Sequence, residues 1–120
     1  MPEYSSAKQP LTKKEKRDLD IEISFLEGLT QRDPKYIEAL QLLGDSYTQR
    51  DRFRDGLAVD EHLAKLLPED SMVFYNLACS YSLTDRIDES ITALNKAVHL
   101  GYKDSRWMEE DPDLNNVRTD

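Results

Sequence analysis

At 120 residues the chain has the length of one domain, and 38% hydrophobic against 33% charged residues suits thin helical layers better than a deep globular core. The formal net charge of −8 is uneven, because residues 1–17 hold five Lys/Arg against two Glu and leave eleven basic and twenty-two acidic residues for 18–120. So acidic a body argues against nucleic acid or an anionic membrane surface as partner, and no apolar run reaches membrane-spanning length.

Residues 1–11, with two Pro, two Ser and little apolar content, read as a mobile tail. Thr12 followed by Glu15 is a capping-box pattern, and Leu19, Ile23 and Leu26 mark one helical face up to about Arg32. The run Lys13-Lys14-Glu15-Lys16-Arg17 reads as a solvated first turn of that helix. Beside its main stripe lie Ile21, Phe25 and Leu29 at i, i+4, i+8. With no partner helix preceding them, they are candidates for self-association as a homodimer, unless they pack on Tyr36, Leu40 and Leu43 of the same chain.

Asp33-Pro34 has the pattern of a cap with proline at the first helical position and opens a helix through about Gln49, with Leu40, Leu43 and Tyr47 buried. Asp51 closes that helix. A partner helix is expected from about Arg52 to Leu66 with Phe53, Leu57, Leu63 and Ala64 inward, and Pro68 breaks the chain after it. The same plan then predicts helices near 70–83 and 87–100, the second ended by Gly101 as a glycine cap. Asp104 caps a short helix carrying Trp107 and Met108, and Asp111-Pro112 opens a last turn with Leu114 and Val117 inward.

Leu40-Leu43-Gly44-Tyr47 is answered 34 residues on by Phe74-Leu77-Ala78-Tyr81, and the same step links Pro34 with Pro68, Phe53 with Ile87, Leu57 with Ile91 and Ala64 with Val98. A period of this length means stacked supersecondary units, and the pattern resembles the tetratricopeptide repeat. The resemblance implies an all-α, tetratricopeptide-type helical-hairpin solenoid, an α–α superhelix. On this reading residues 12–118 form one domain: a half-repeat helix at 12–33 acting as N-terminal cap, repeats at 34–67 and 68–101, and a C-terminal cap at 102–118. That last segment does not continue the repeat and resembles the terminating segment of small bacterial tetratricopeptide proteins. Small Gly44 and Ala78 mark close helix approach. Where the family prefers alanine and an aromatic four residues later, this chain has Gly56 with Asp60, then Ser90 with Leu94. Gly56 is expected to cost about 1 kcal/mol of helix propensity, and Asp60 requires an exposed position or a partner.

No catalytic constellation emerges, so a non-enzymatic role is expected, with no cofactor and no metal. His62 and His99 are 37 residues apart in sequence and read as exposed surface histidines. Asp18-x-Asp20-x-Glu22 lacks the glycine and distal glutamate of a calcium loop, and the acidic run Glu109 to Asp113 fits the preference of helix N-termini for carboxylates. The single cysteine, Cys79, closes no intrachain disulfide, which points to a reducing, cytoplasmic setting. In the resembled family the first helices line a concave groove, which here means Glu38, Gln41, Asp45 and Thr48, then Met72, Tyr75, Asn76, Cys79 and Leu83. The resemblance thus implies a scaffold or adaptor that binds a peptide or helix of another protein, Tyr75 and Asn76 being the expected central contacts. Some relatives clamp a chaperone's terminal carboxylate with basic side chains. Asn76 matches that set, but Gln41 and Asp45 stand where a basic pair is needed, so a neutral or basic segment is expected. The alternative is a structural protomer that self-assembles through its N-terminal helix.

Overall fold

Between residues 37 and 110, alternate helices begin at a constant interval. In the computed structural model, which describes residues 10–118, the starts of α2 (Ile37–Gln49), α4 (Ser71–Leu83) and α6 (Ser105–Glu110) are spaced by the sequence repeat, as are those of α3 (Phe53–Leu66) and α5 (Ile87–His99). α1 (Lys13–Arg32) ends one repeat length before α3 does; a 3-10 turn (Pro112–Leu114) and α7 (Asn115–Arg118) finish the described chain. The tail read at 1–11 lies, up to residue 9, outside the described residues. α1 packs on α2, α2 on α3, α3 on α4 and α4 on α5, so the protein is an all-α stack of helical hairpins, with no strand among the described residues. No described helix is long and apolar enough to cross a membrane.

Local chemistry sets the boundaries. The Thr12 hydroxyl accepts from Glu15 N at 3.1 Å while Thr12 N donates to Glu15 Oε1 at 2.8 Å, the two halves of the capping box. Asp70 accepts from the backbone of Met72 and Val73, and Asp104 from that of Trp107. Asp33-Pro34 behaves differently from expectation: Tyr36 N bonds the Asp33 carbonyl at 3.1 Å, making a turn, and α2 starts only at Ile37. The two hairpin turns share another device. Asp51 and its repeat equivalent Asp85 sit at φ 62° and 60°, a left-handed conformation that aspartate tolerates better than most side chains. Gly101, at φ 113°, follows α5 as the expected glycine cap.

Three apolar clusters run along the stack. Ile23 and Leu26 of α1 pack with Leu40, Leu43 and Tyr47 of α2 and with Val59 and Leu63 of α3; Leu57 joins Leu77, Ala78 and Ala93; Tyr75, Cys79, Ala97 and Leu114 join the cap to α4 and α5. Full burial of a leucine contributes roughly 1.5–3 kcal/mol. Two expectations change here. Leu29 packs against the first cluster and so belongs to the core, whereas Ile21 and Phe25 are 63% and 64% exposed. Ile91 and Val98, which match Leu57 and Ala64 in the repeat, are exposed because among the described residues no helix packs on that side of α5 as α4 packs on α3.

The repeat also recurs in its polar contacts. Tyr47 donates to Glu27 at 2.5 Å with the Arg52 guanidinium 4.8 Å from its ring; Tyr81 donates to Glu61 at 3.0 Å with Arg86 5.0 Å from its ring. The two sets are equivalent by the repeat, and each ties the first helix of a hairpin to the helix before it. The close approach expected at the small residues is present as well. A Cβ on Gly56 would lie 3.7 Å from the Gly44 carbonyl oxygen, and at the matching place Ser90, fully buried, donates to the Ala78 carbonyl at 2.7 Å.

Candidate functional site: an aspartate-lined groove

α2 and α4 both pack on α3, and a groove opens between them with Asp60 and Leu63 of α3 in its lining. Its cavity measures about 440 Å³. Of the sequence-derived groove residues, Gln41, Asp45, Thr48, Met72, Tyr75, Asn76, Cys79 and Leu83 line this one cavity, and Glu38 lies outside it on the first turn of α2. The self-association residues Ile21 and Phe25 lie on α1, outside the cavity lining.

Tyr75 needs correction as a contact residue. It is 1% exposed, its ring stacks on Tyr102 at 4.4 Å with 7° between planes, and its hydroxyl donates to Asp111 at 2.5 Å. It therefore shapes the back of the groove and has little surface left for a ligand. Cys79 is buried in the same wall at 8% exposure. Burial, then Asp111 and Asp113, push its thiol well above the usual range, so by itself it stays protonated. The Thr48 hydroxyl is taken up by the Gly44 carbonyl of its own helix. Gln41 and Met72 are exposed and Asn76, Asp45 and Leu83 half-buried, which leaves these five as the accessible lining side chains of the expected set.

The structure adds carboxylates that the sequence reading did not place in the groove. Asp60, Asp70, Asp111 and Asp113 join Asp45 in the lining, and no Lys, Arg or His is among the lining residues. Asp60 has the partner it required, since the Ser80 hydroxyl donates to it. Burial nevertheless drives its carboxyl up to about 7, with Asp45 adding to the rise and the Ser80 bond opposing it. Asp113 is likewise pushed up to about 7 by burial and by Asp111 beside it. A buried acid is costly when charged, and this groove concentrates five aspartates. Asp60 carried a signal in the sequence as an acid at an aromatic position of a helix. Asp111 and Asp113 carried none pointing here, because they reach α4 from a distant part of the chain through the turn that follows α6. His62 also differs from expectation: it is half-buried, with Nε2 2.6 Å from the Pro34 carbonyl oxygen, while His99 is exposed.

No family model matches the chain. Over 112 residues it is 32% identical to a chloroplastic protein of Arabidopsis thaliana, an alignment covering 92% of this chain and 29% of that protein. Over 91 residues it is 34% identical to the peroxisomal targeting signal receptor of Komagataella phaffii, covering 73% of this chain and 16% of the receptor. This is a helical-repeat chain similar to part of each. It spans less than a third of the length of either relative.

Proposed function

We propose that residues 12–118 form a tetratricopeptide-repeat domain, with repeats at 34–67 and 68–101, that binds a segment of another protein in the groove between α2 and α4. The role is that of a non-enzymatic adaptor. The observation that carries this reading is the groove itself, an open cavity lined by five aspartates and no cationic side chain. Its electrostatics favour a segment rich in Lys or Arg and repel an acidic one. One relative is by name a receptor for a peroxisomal targeting signal, which supports recognition of a protein segment by this chain too. Gln41, Met72 and Asn76 would meet the ligand, with Asp45 and Asp70 supplying charge.

The test is affinity capture with the intact protein against an Asn76→Ala/Met72→Ala variant, followed by binding of a synthetic segment of the captured partner at rising salt. A partner held by the first, lost by the second and weakened by salt supports groove binding. A partner indifferent to both changes overturns it.

A second reading rests on Ile21 and Phe25. Phe25 takes the place in α1 that buried Val59 and Ala93 take in α3 and α5, yet it is 64% exposed because α1 has no preceding helix packed on it among the described residues. A second copy of the chain covering this face would form a homodimer. Light scattering on Ile21→Glu/Phe25→Glu decides it: a dimer that becomes a monomer supports the idea, and a wild-type monomer at all concentrations removes it.

A further inference from the structure

The deepest part of the groove joins three potential metal ligands from distant parts of the chain. Cys79 Sγ and one carboxylate oxygen each of Asp111 and Asp113 lie within 4.8 Å of one another, and the residues are 8%, 1% and 5% exposed. Cys79 comes from the middle of α4, while the two aspartates flank Pro112 where the chain turns after α6.

Asp111 is well provided for. Its Oδ2 accepts from the Tyr75 hydroxyl and from the Cys79 thiol, the latter at 3.8 Å, and its Oδ1 accepts from Asp113 N at 3.0 Å. Asp113 is not. Its Oδ1 is buried, and it has no hydrogen-bond partner among the described residues, although the residue lines the cavity. A buried carboxylate oxygen without a donor loses its hydration with no return. The nearby cation does not supply one: Arg118 directs its guanidinium to the Met108 and Asp111 carbonyls and the Asn115 side chain.

We propose that Cys79, Asp111 and Asp113 bind one divalent transition-metal ion of the zinc type at the base of the groove. The ion replaces the thiol proton between Sγ and Oδ2: the Cys79 S–H bond breaks, an S–metal bond forms, and the proton leaves to solvent with no change of oxidation state. The spacing fits. Zinc–sulfur and zinc–oxygen bonds of about 2.3 and 2.0 Å at a tetrahedral angle hold the two ligand atoms about 3.5 Å apart, close to the 3.8 Å observed. A carboxylate oxygen of Asp113 provides the third ligand, and the groove that these residues line admits water as a fourth. The thiolate selects zinc, cobalt or cadmium over calcium and magnesium, which favour oxygen donors. This inference goes beyond segment binding and stands without it.

The experiment titrates the full chain with Co²⁺, following thiolate-to-cobalt absorption in the near ultraviolet and the visible bands of a four-coordinate ion, then competes with Zn²⁺. One equivalent bound and displaced by Zn²⁺ is expected. Cys79→Ser should lose the near-ultraviolet band, and Asp113→Asn, nearly identical in shape, should weaken binding at least about tenfold, both remaining helical by circular dichroism. Absence of a saturable signal in the wild type overturns the site. So does a signal unchanged in both variants, which would place the ion on another part of the surface.

Discussion

The Tyr75 hydroxyl donates to Asp111 Oδ2 at 2.5 Å across 36 residues of sequence, a buried bond that fastens the second hairpin to the chain's final turn. Around it Tyr102 stacks on the Tyr75 ring and Leu114 fills the space beside Cys79 and Ala97. Tyr75→Phe keeps the ring and removes the donor, leaving a buried carboxylate under-satisfied. The expected loss is about 2 kcal/mol, measured by urea unfolding. Hydrogen exchange should show faster exchange at residues 105–118 before any change in α1 and α2; a uniform change along the chain would refute the local role.

Asp60 makes stability depend on pH with a definite sign. Its folded carboxyl sits at about 7 against an ordinary 3.8, so between these values the unfolded chain gives up the proton while the folded chain keeps it. Its contribution to stability is thus greatest below about pH 4, declines as pH rises towards 7 and is lost above that. Asp60→Asn retains an acceptor for Ser80 and removes the charge. The variant should exceed the wild type in stability at pH 8 by more than at pH 5, as read from urea midpoints at the two values. An equal difference at both would show that Asp60 does not titrate in this range.

Gly56→Ala should stabilise the protein by roughly 0.5–1 kcal/mol, the helix-propensity difference between the two residues. The added methyl meets Thr48 Oγ1 at 3.4 Å and Tyr47 Cβ at 3.7 Å, ordinary contacts, and Ser90 shows that the matching place in the next repeat holds a side chain. A fall in thermal midpoint would mean that the α2–α3 approach is tighter than this spacing allows.

The Glu61–Tyr81–Arg86 contact offers a measure of coupling between hairpins. Tyr81→Phe should cost about 1 kcal/mol, and the same change in a Glu61→Gln background should cost less, the difference being the coupling energy of the pair. Additive effects in the double-mutant cycle would mean that the contact is solvated and carries no coupling.

Most of the fold was legible because helix periodicity and the repeat step are local properties of sequence. Thr12 with Glu15, Gly101 and Asp104 each announced a helix end that the structure contains. Asp33-Pro34 misled over where α2 begins, since a proline that can open a helix also fits the turn before one. The groove walls were legible for the same reason as the repeats, whereas its charge was not. Asp111 and Asp113 enter by tertiary contact, and Tyr75 lost its accessible face to Tyr102, neither of which any spacing encodes. Ile91 and Val98 keep the repeat step yet are exposed, because a repeat pattern reports what a neighbouring unit buries and not which units pack together among the described residues.

α6 begins on the beat of the repeat at Ser105 and stops at Glu110, just before Asp111-Pro112. Proline at 112, where the matching α4 residue is Ala78, cannot donate the backbone bond that a continuing helix requires. The interruption reverses the chain and brings Asp111 and Asp113 back against α4. Breaking α6 and acidifying the groove are therefore one event in this chain: a version that carried α6 on as far as α4 runs would forfeit its two deepest carboxylates.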